Sequence, residues 1–134
     1  MNTATIPTRR ALTSFDRKRV DAVALKAFFN LAAEWGLAAD EQTVLLGHPS
    51  RRTFYRWRAG EVAALPADTL ERISVLLGIY KALAILLPVA DRAHGWVKRS
   101  NDAFGGRSAL DVMRQGRMDD LYQVRRHLDA WRGG

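Results

Sequence analysis

The chain has 134 residues, 48% of them hydrophobic, no cysteine, and a formal net charge of +7. That length holds one domain or two small ones with a real core, and that charge favours an anionic partner, nucleic acid first. Thiol chemistry and disulfides are excluded, which fits a reducing cytoplasm, and the longest apolar run, Ala82 to Ala90, is broken by Pro88 and falls short of the roughly 20 residues that span a bilayer, so a soluble cytoplasmic protein is expected.

Residues 1–15 read as a disordered lead-in, without the apolar stretch of a signal peptide, and Arg9 and Arg10 are candidate phosphate contacts. Asp16 to Trp35 reads as a long helix. Val20, Val23, Ala24, Ala27, Phe28, Leu31 and Ala32 recur at three and four along it, which makes one apolar stripe. Asp16 is the candidate cap and Gly36 the stop.

Asp40 to Gly60 then reads as a short helix, a tight turn and a second helix rich in arginine. Gly47 supplies the left-handed residue that stops the first helix. Ser50 can cap the second by accepting from the N–H of Arg52 or Thr53. This spacing matches the helix-turn-helix that places one helix in the DNA major groove. At about 100° per residue, Thr53, Phe54 and Trp57 share one side, and Arg51, Arg52, Tyr55 and Arg56 the other. The cationic side is the candidate reading face, since a guanidinium fork suits guanine or phosphate. Arg58, at its edge, is a candidate phosphate contact, and an ordinary solvated basic face is the alternative.

Glu61 to Leu65 reads as a loop, with Pro66 in the first turn of the next helix. From Ala67, the residues Leu70, Ile73, Leu76, Leu77, Tyr80, Leu83, Ala84 and Leu87 face one way until Pro88. Gly78 interrupts this run and marks a kink or a close helix crossing. The apolar surface of these long helices suggests a homodimer, with Leu76, Leu83 and Leu87 as interface candidates; burial within one chain is equally open. Val89 to Lys98 is one more helix, with Trp96 and Val97 inward. A loop from Ser100 to Arg107 leads to a helix from Ala109 to Gln115, capped by Ser108 and broken by Gly116. The last helix, Met118 to Trp131, puts Leu121, Val124, Leu128 and Trp131 on one side and ends in Gly133 and Gly134. No stretch alternates at period two for long enough to form a strand, so the fold class is all-α.

Catalytic chemistry finds no foothold. His48, His94 and His127 stand apart without ligand spacing. Gly105-Gly106 follows no strand and precedes no suitably placed lysine, so it is not a phosphate loop. Asp119 and Asp120 read as helix N-terminal charges. No catalytic residue, metal site or cofactor is expected.

The tail, GWVKRSNDAFGGRSALDVMRQGRMDDLYQVRRHLDAWRGG, resembles the C-terminal toxin-binding domain of Xre/MbcA/ParS antitoxins. Trp96, Asn101, Phe104, Gly105, Gly106, Leu110, Asp111, Met113 and Gly116 carry the resemblance. LERISVLLGIYKALAILLP is similar to the join between an Xre-like DNA-binding part and such a tail. The likeness spans roughly residues 40 to 134. Two positions that are proline in many members are Ser100 and Ala109 here, and a cap by Ser108 can replace the second.

The resemblance implies an antitoxin of a two-component operon. Its N-terminal part would dimerise and bind the operon's promoter, and its C-terminal part would cover the active-site entrance of a RES-domain toxin that consumes NAD. With the lead-in read at 1–15, the chain is expected to divide into a DNA-binding and dimerisation domain at 16–80 and a toxin-binding domain at 81–134. Arg125, Arg126, Trp131, Arg132, Gly133 and Gly134 are then the candidate toxin contacts, since a cleft for a dinucleotide favours cations and Trp and Arg dominate interface hot spots. For Trp131, a place in the core is the alternative. A plain helix-turn-helix regulator with a dimerising or ligand-sensing tail is the competing function.

Overall fold

A computed structural model of the chain describes residues 13–133, so Arg9, Arg10 and Gly134 lie outside the described residues. Helix α1, Ser14–Glu34, begins two residues earlier than expected. Asp16 does not cap it. Thr13, in extended backbone, accepts from the Asp16 N–H at 3.1 Å and donates its hydroxyl to the Asp16 carboxylate at 2.8 Å.

The inward side of α1 is carried by Ala24, Leu25, Phe28, Leu31, Ala32 and Trp35. Val23, expected in the stripe, is 68% exposed, and Leu25 with the buried Asp21 takes its side. The stripe shifts because α1 packs against two helices, α3 (Arg51–Arg58) and α4 (Ala67–Leu86). The Asp21 carboxylate accepts from the Leu65 N–H at 2.9 Å, which ties the loop between those helices to α1.

Helix α2, Ala39–Leu45, lies between α1 and α3 in the chain. α1, α2 and α3 all stop in the same way. After each one a glycine (Gly36, Gly47, Gly60) adopts positive φ, and the next residue donates back to a carbonyl five residues earlier. This double closure satisfies carbonyls that the helix end leaves orphaned.

α4 is the central helix. Pro66 precedes its first turn as the cap residue, one place earlier than expected. Leu70, Ile73, Val75, Leu76, Ile79, Ala82 and Leu83 are buried, and each fully buried Leu or Ile contributes about 1.5–3 kcal/mol. Leu76 and Leu83 therefore belong to the chain's own core and are not free for a dimer interface. Leu87 is half-buried.

Helix α5, Ala90–Trp96, leads to a 3₁₀ turn at Asp102–Phe104, helix α6, Ala109–Met113, and helix α7, Met118–Gly133. α7 packs along α4 more extensively than any other helix pair. Gly78 lies at this seam, where a Cβ would overlap the Arg125 guanidinium, and Tyr122 donates to Glu71 at 2.8 Å. The close crossing read from Gly78 is made by a side chain of α7. One hydrophobic cluster runs from Ala24 to Leu128 through all seven helices. Among the described residues the fold is all-helical, with a single isolated antiparallel bridge between Ser100 and Ser108.

Candidate functional site

α3 is held by one cap and two buried rings. Ser50 accepts from the Thr53 N–H at 3.1 Å, fixing where the helix starts. Phe54 and Trp57 are buried, and Phe54 meets Phe29 edge to face at 5.9 Å. These contacts use the inner side of α3 and leave Arg51, Arg52, Tyr55, Arg56 and Arg58 exposed, as the helical count predicts. Arg51 lies 5.8 Å from the Tyr55 ring centre, within cation–π range. Arg56 is 3.9 Å from Glu61, a long and exposed pair that holds it weakly. The result is a helix pinned from within by Phe54 and Trp57, with a cationic outer face.

The tail candidates differ in their surroundings. Arg125 lies over Gly78 and pairs with Asp129 at 3.2 Å. Arg126, the next residue around the helix, pairs loosely with Asp119 at 3.7 Å. The last buried residue of α7 is Leu128, and Trp131 is 42% exposed, so it is not a core residue. Arg132 and Gly133 are also exposed, beyond the end of the core.

The residues that carry the tail's family resemblance build its local frame. The Asn101 side chain accepts from the Ala103 N–H at 2.9 Å, and its backbone carbonyl accepts from Phe104 and Gly106. Gly105 and Gly106 follow with φ of +67° and +88°. Ser108 and Asp111 cap α6 reciprocally, at 3.0 and 3.1 Å, in place of a proline start. Leu110 donates its N–H to Val97 at 2.9 Å. Trp96 stacks on His127 at 6.1 Å, and Phe104 meets the same imidazole edge to face at 5.1 Å. His127, which looks isolated in sequence, thus joins the motif. Its spacing from the buried Val124 was the available signal.

Asp119 and Asp120 stand in the first turn of α7, as read from the sequence, and Asp120 is in addition buried. It accepts from the Arg117 backbone N–H at 3.0 Å and from the Arg117 guanidinium at 3.0 and 3.2 Å. That guanidinium hydrogen bond holds the carboxyl below its usual range, against the opposing push of burial. The hydroxyls of Tyr80 and Tyr122 are shifted upward, chiefly by hydrogen bonds to Glu34 and Glu71 respectively.

Contacts between the two ends of the chain are polar as well as apolar. Glu34, near the end of α1, accepts from Tyr80 at 2.7 Å and meets His94 at 2.9 Å. Lys98 donates to the Gly36 carbonyl at 2.7 Å. Arg114 reaches Glu41 at 3.4 Å. None of these pairs has a local sequence signature. Among the described residues no cluster of three or more acidic, His or Cys side chains is arranged to hold a metal, and no helix is long and apolar enough to cross a membrane.

Comparison with known proteins matches both halves of the chain. Residues 14–78 match the antitoxin Xre-like helix-turn-helix domain, and residues 82–134 match the antitoxin Xre/MbcA/ParS C-terminal toxin-binding domain. A protein of Sinorhizobium fredii (strain NBRC 101917 / NGR234), called uncharacterized protein y4oB, is 52% identical over 130 residues, covering 97% of this chain and 99% of its own.

Proposed function

The chain belongs to the Xre/MbcA/ParS antitoxin family, with a helix-turn-helix segment and a toxin-binding segment, and from that premise we propose that it silences a RES-domain, NAD-degrading toxin by covering its active site and represses its own operon. The observation that carries the DNA half is the outer face of α3. Arg51, Arg52, Tyr55 and Arg56 are exposed while Phe54 and Trp57 fix the helix from within. Arg58 extends this face toward phosphate. A homodimer reads two half-sites with matching symmetry, through a surface other than Leu76 and Leu83.

The toxin half rests on the toxin-binding match and on the free end of α7. Trp131 and Arg132 project beyond the core with Gly133 beside them. An indole can fill an apolar slot, and a guanidinium can pair at a rim built for dinucleotide phosphates. Arg126 is exposed and available; Arg125 must first leave Gly78. In this reading residues 16–80 read DNA and dimerise, residues 81–134 hold the toxin, and the protein acts in the cytoplasm without catalysis of its own.

Co-expression with the product of the adjacent reading frame tests this reading. Co-purification and preserved cellular NAD are expected. A chain lacking residues 131–134 should still bind its promoter and should fail to protect NAD. Full protection by that truncation moves neutralisation to the Trp96–Met113 region. An adjacent product that neither binds nor consumes NAD leaves a plain DNA-binding regulator. An Arg52→Ala, Arg56→Ala double variant that binds the promoter normally removes α3 as the reading helix.

A further inference from the structure

Where the two matched segments meet, the helices do not close completely. A cavity of about 180 Å³ lies between the end of α1, the C-terminal turns of α4 and α5. It opens to solvent: the Glu34 side chain is 38% exposed, and Ala84 and Ala90 stand exposed beside it. A cavity of about 150 Å³ engineered into another protein holds benzene, so this one has room for a body of similar size with a polar group attached. Ligand sites favour such junctions, with mostly apolar walls and a few fixed polar groups.

The walls are of two kinds. Leu83, Leu87, Pro88 and Ala93 make one side apolar. The other side brings Trp35, Tyr80 and His94 around the Glu34 carboxylate. The Tyr80 ring lies 6.4 Å from that of Trp35, tilted by 41°, and 6.4 Å from that of His94, nearly parallel to it at 21°. Both polar neighbours use one oxygen of the carboxylate. Tyr80 donates to Glu34 Oε1 at 2.7 Å, and His94 Nε2 meets the same atom at 2.9 Å. These contacts hold the carboxylate in place, and Oε2 has no protein partner among the described residues.

The lining selects by charge. Among the described residues no lysine or arginine lines the cavity, so an anion would face Glu34 without a counter-ion. A neutral apolar body would cover Oε2 and leave it without a hydrogen bond, which costs free energy. A cation bearing N–H groups satisfies that oxygen through a charge-assisted bond. It also gains from the aromatic rings beside it.

We propose that this cavity is a binding site for a small organic ammonium ion: the charged nitrogen pairs with Glu34 Oε2 beside Tyr80, and the apolar body lies against Leu83, Leu87 and Pro88. The site is independent of the readings of α3 and α7. The chain's net charge of +7 disfavours cations in general, so selective uptake of an ammonium ion reports a local site.

The test uses the full chain at pH 8 and low salt, with isopentylammonium as the probe and isopentanol and isovalerate as its neutral and anionic counterparts. An alkylamine is protonated at that pH. Proton–nitrogen NMR titration reads the Trp35 indole N–H and the amides of residues 80–94. The ammonium ion should saturate with a dissociation constant below about 1 mM, a modest demand for six heavy atoms. Isopentanol should bind about tenfold more weakly, and isovalerate not at all. Glu34→Gln keeps an oxygen for Tyr80 and His94 and removes the charge, so ammonium affinity should fall to that of the alcohol. Ala84→Leu fills the mouth from an exposed position on α4 and should abolish binding of both. Each variant should keep a thermal midpoint within a few degrees of the parent. Equal affinity for alcohol and ammonium in the parent overturns the proposal, as does the absence of saturable binding below about 10 mM. Undiminished ammonium binding in Glu34→Gln or in Ala84→Leu overturns it too. The comparison of the three probes in the parent needs no variant and decides the matter if either variant fails to fold.

Discussion

Gly78→Ala tests how Arg125 is seated at the α4–α7 seam. Glycine inside a helix is about 0.8–1.0 kcal/mol less favourable than alanine, so the substitution starts with that gain. Against it, the new Cβ would lie 2.6 Å from Arg125 Cζ, with all the nearest atoms belonging to that guanidinium. The obstacle is the far end of a flexible side chain that is already 35% exposed. It can swing into solvent, giving up its pair with Asp129. An i,i+4 pair at this exposure is worth about 0.3–0.5 kcal/mol. The net expectation is a gain of about 0.5 kcal/mol, or roughly 2 °C in thermal midpoint for a domain of this size. Thermal and urea unfolding followed by far-UV circular dichroism measure it. In an Arg125→Ala background the conflict is gone and the full gain of about 1 kcal/mol should appear. A loss of more than about 1 kcal/mol in the parent background would refute the reasoning, because it would mean the guanidinium cannot leave the seam cheaply.

Three further outcomes are expected. Ser50→Ala removes the only side-chain cap of α3 and should cost about 1 kcal/mol in urea unfolding, with weaker promoter binding. Asp120 has a folded pKa below its unfolded one, so its stabilisation is present above the ordinary value of about 3.9 and is lost as pH falls through the folded value; Asp120→Asn should therefore flatten the decline of the urea midpoint on acidification below about pH 4. Arg58→Ala should weaken binding to all duplexes alike and make the salt dependence shallower by about 0.9 in log–log slope, and a loss confined to one sequence would make Arg58 a base reader.

Much of the fold was legible in the sequence because its signals are local. A glycine ends a helix, and Ser50 or Ser108 starts one, through bonds that reach three to five residues along the chain. The outer face of α3 was readable for the same reason: helical period alone separates Arg52 and Arg56 from Phe54 and Trp57. The glycine-rich tail motif was legible as a pattern, although its physical work, closing a loop and burying Phe104, was not.

Periodicity says that a helix has an apolar side but not which other helices reach it. Val23 fell outside the core and Leu25 inside because both α3 and α4 approach α1. Leu76 and Leu83 are buried because α1, α5 and α7 all pack on α4, and α7 arrives there only after about thirty residues of intervening chain. Trp131 kept the apolar period of its helix yet lies where the core has already ended. His127 against Trp96, Asp120 beneath Arg117, Arg125 over Gly78 and Gly116 against His48 each depend on how elements meet in space. Local chemistry decided where the helices begin, end and carry charge; only the packing of helix on helix, α3 and α4 against α1 and α7 along α4, decided which of those side chains are spent on the fold and which remain free to meet a partner.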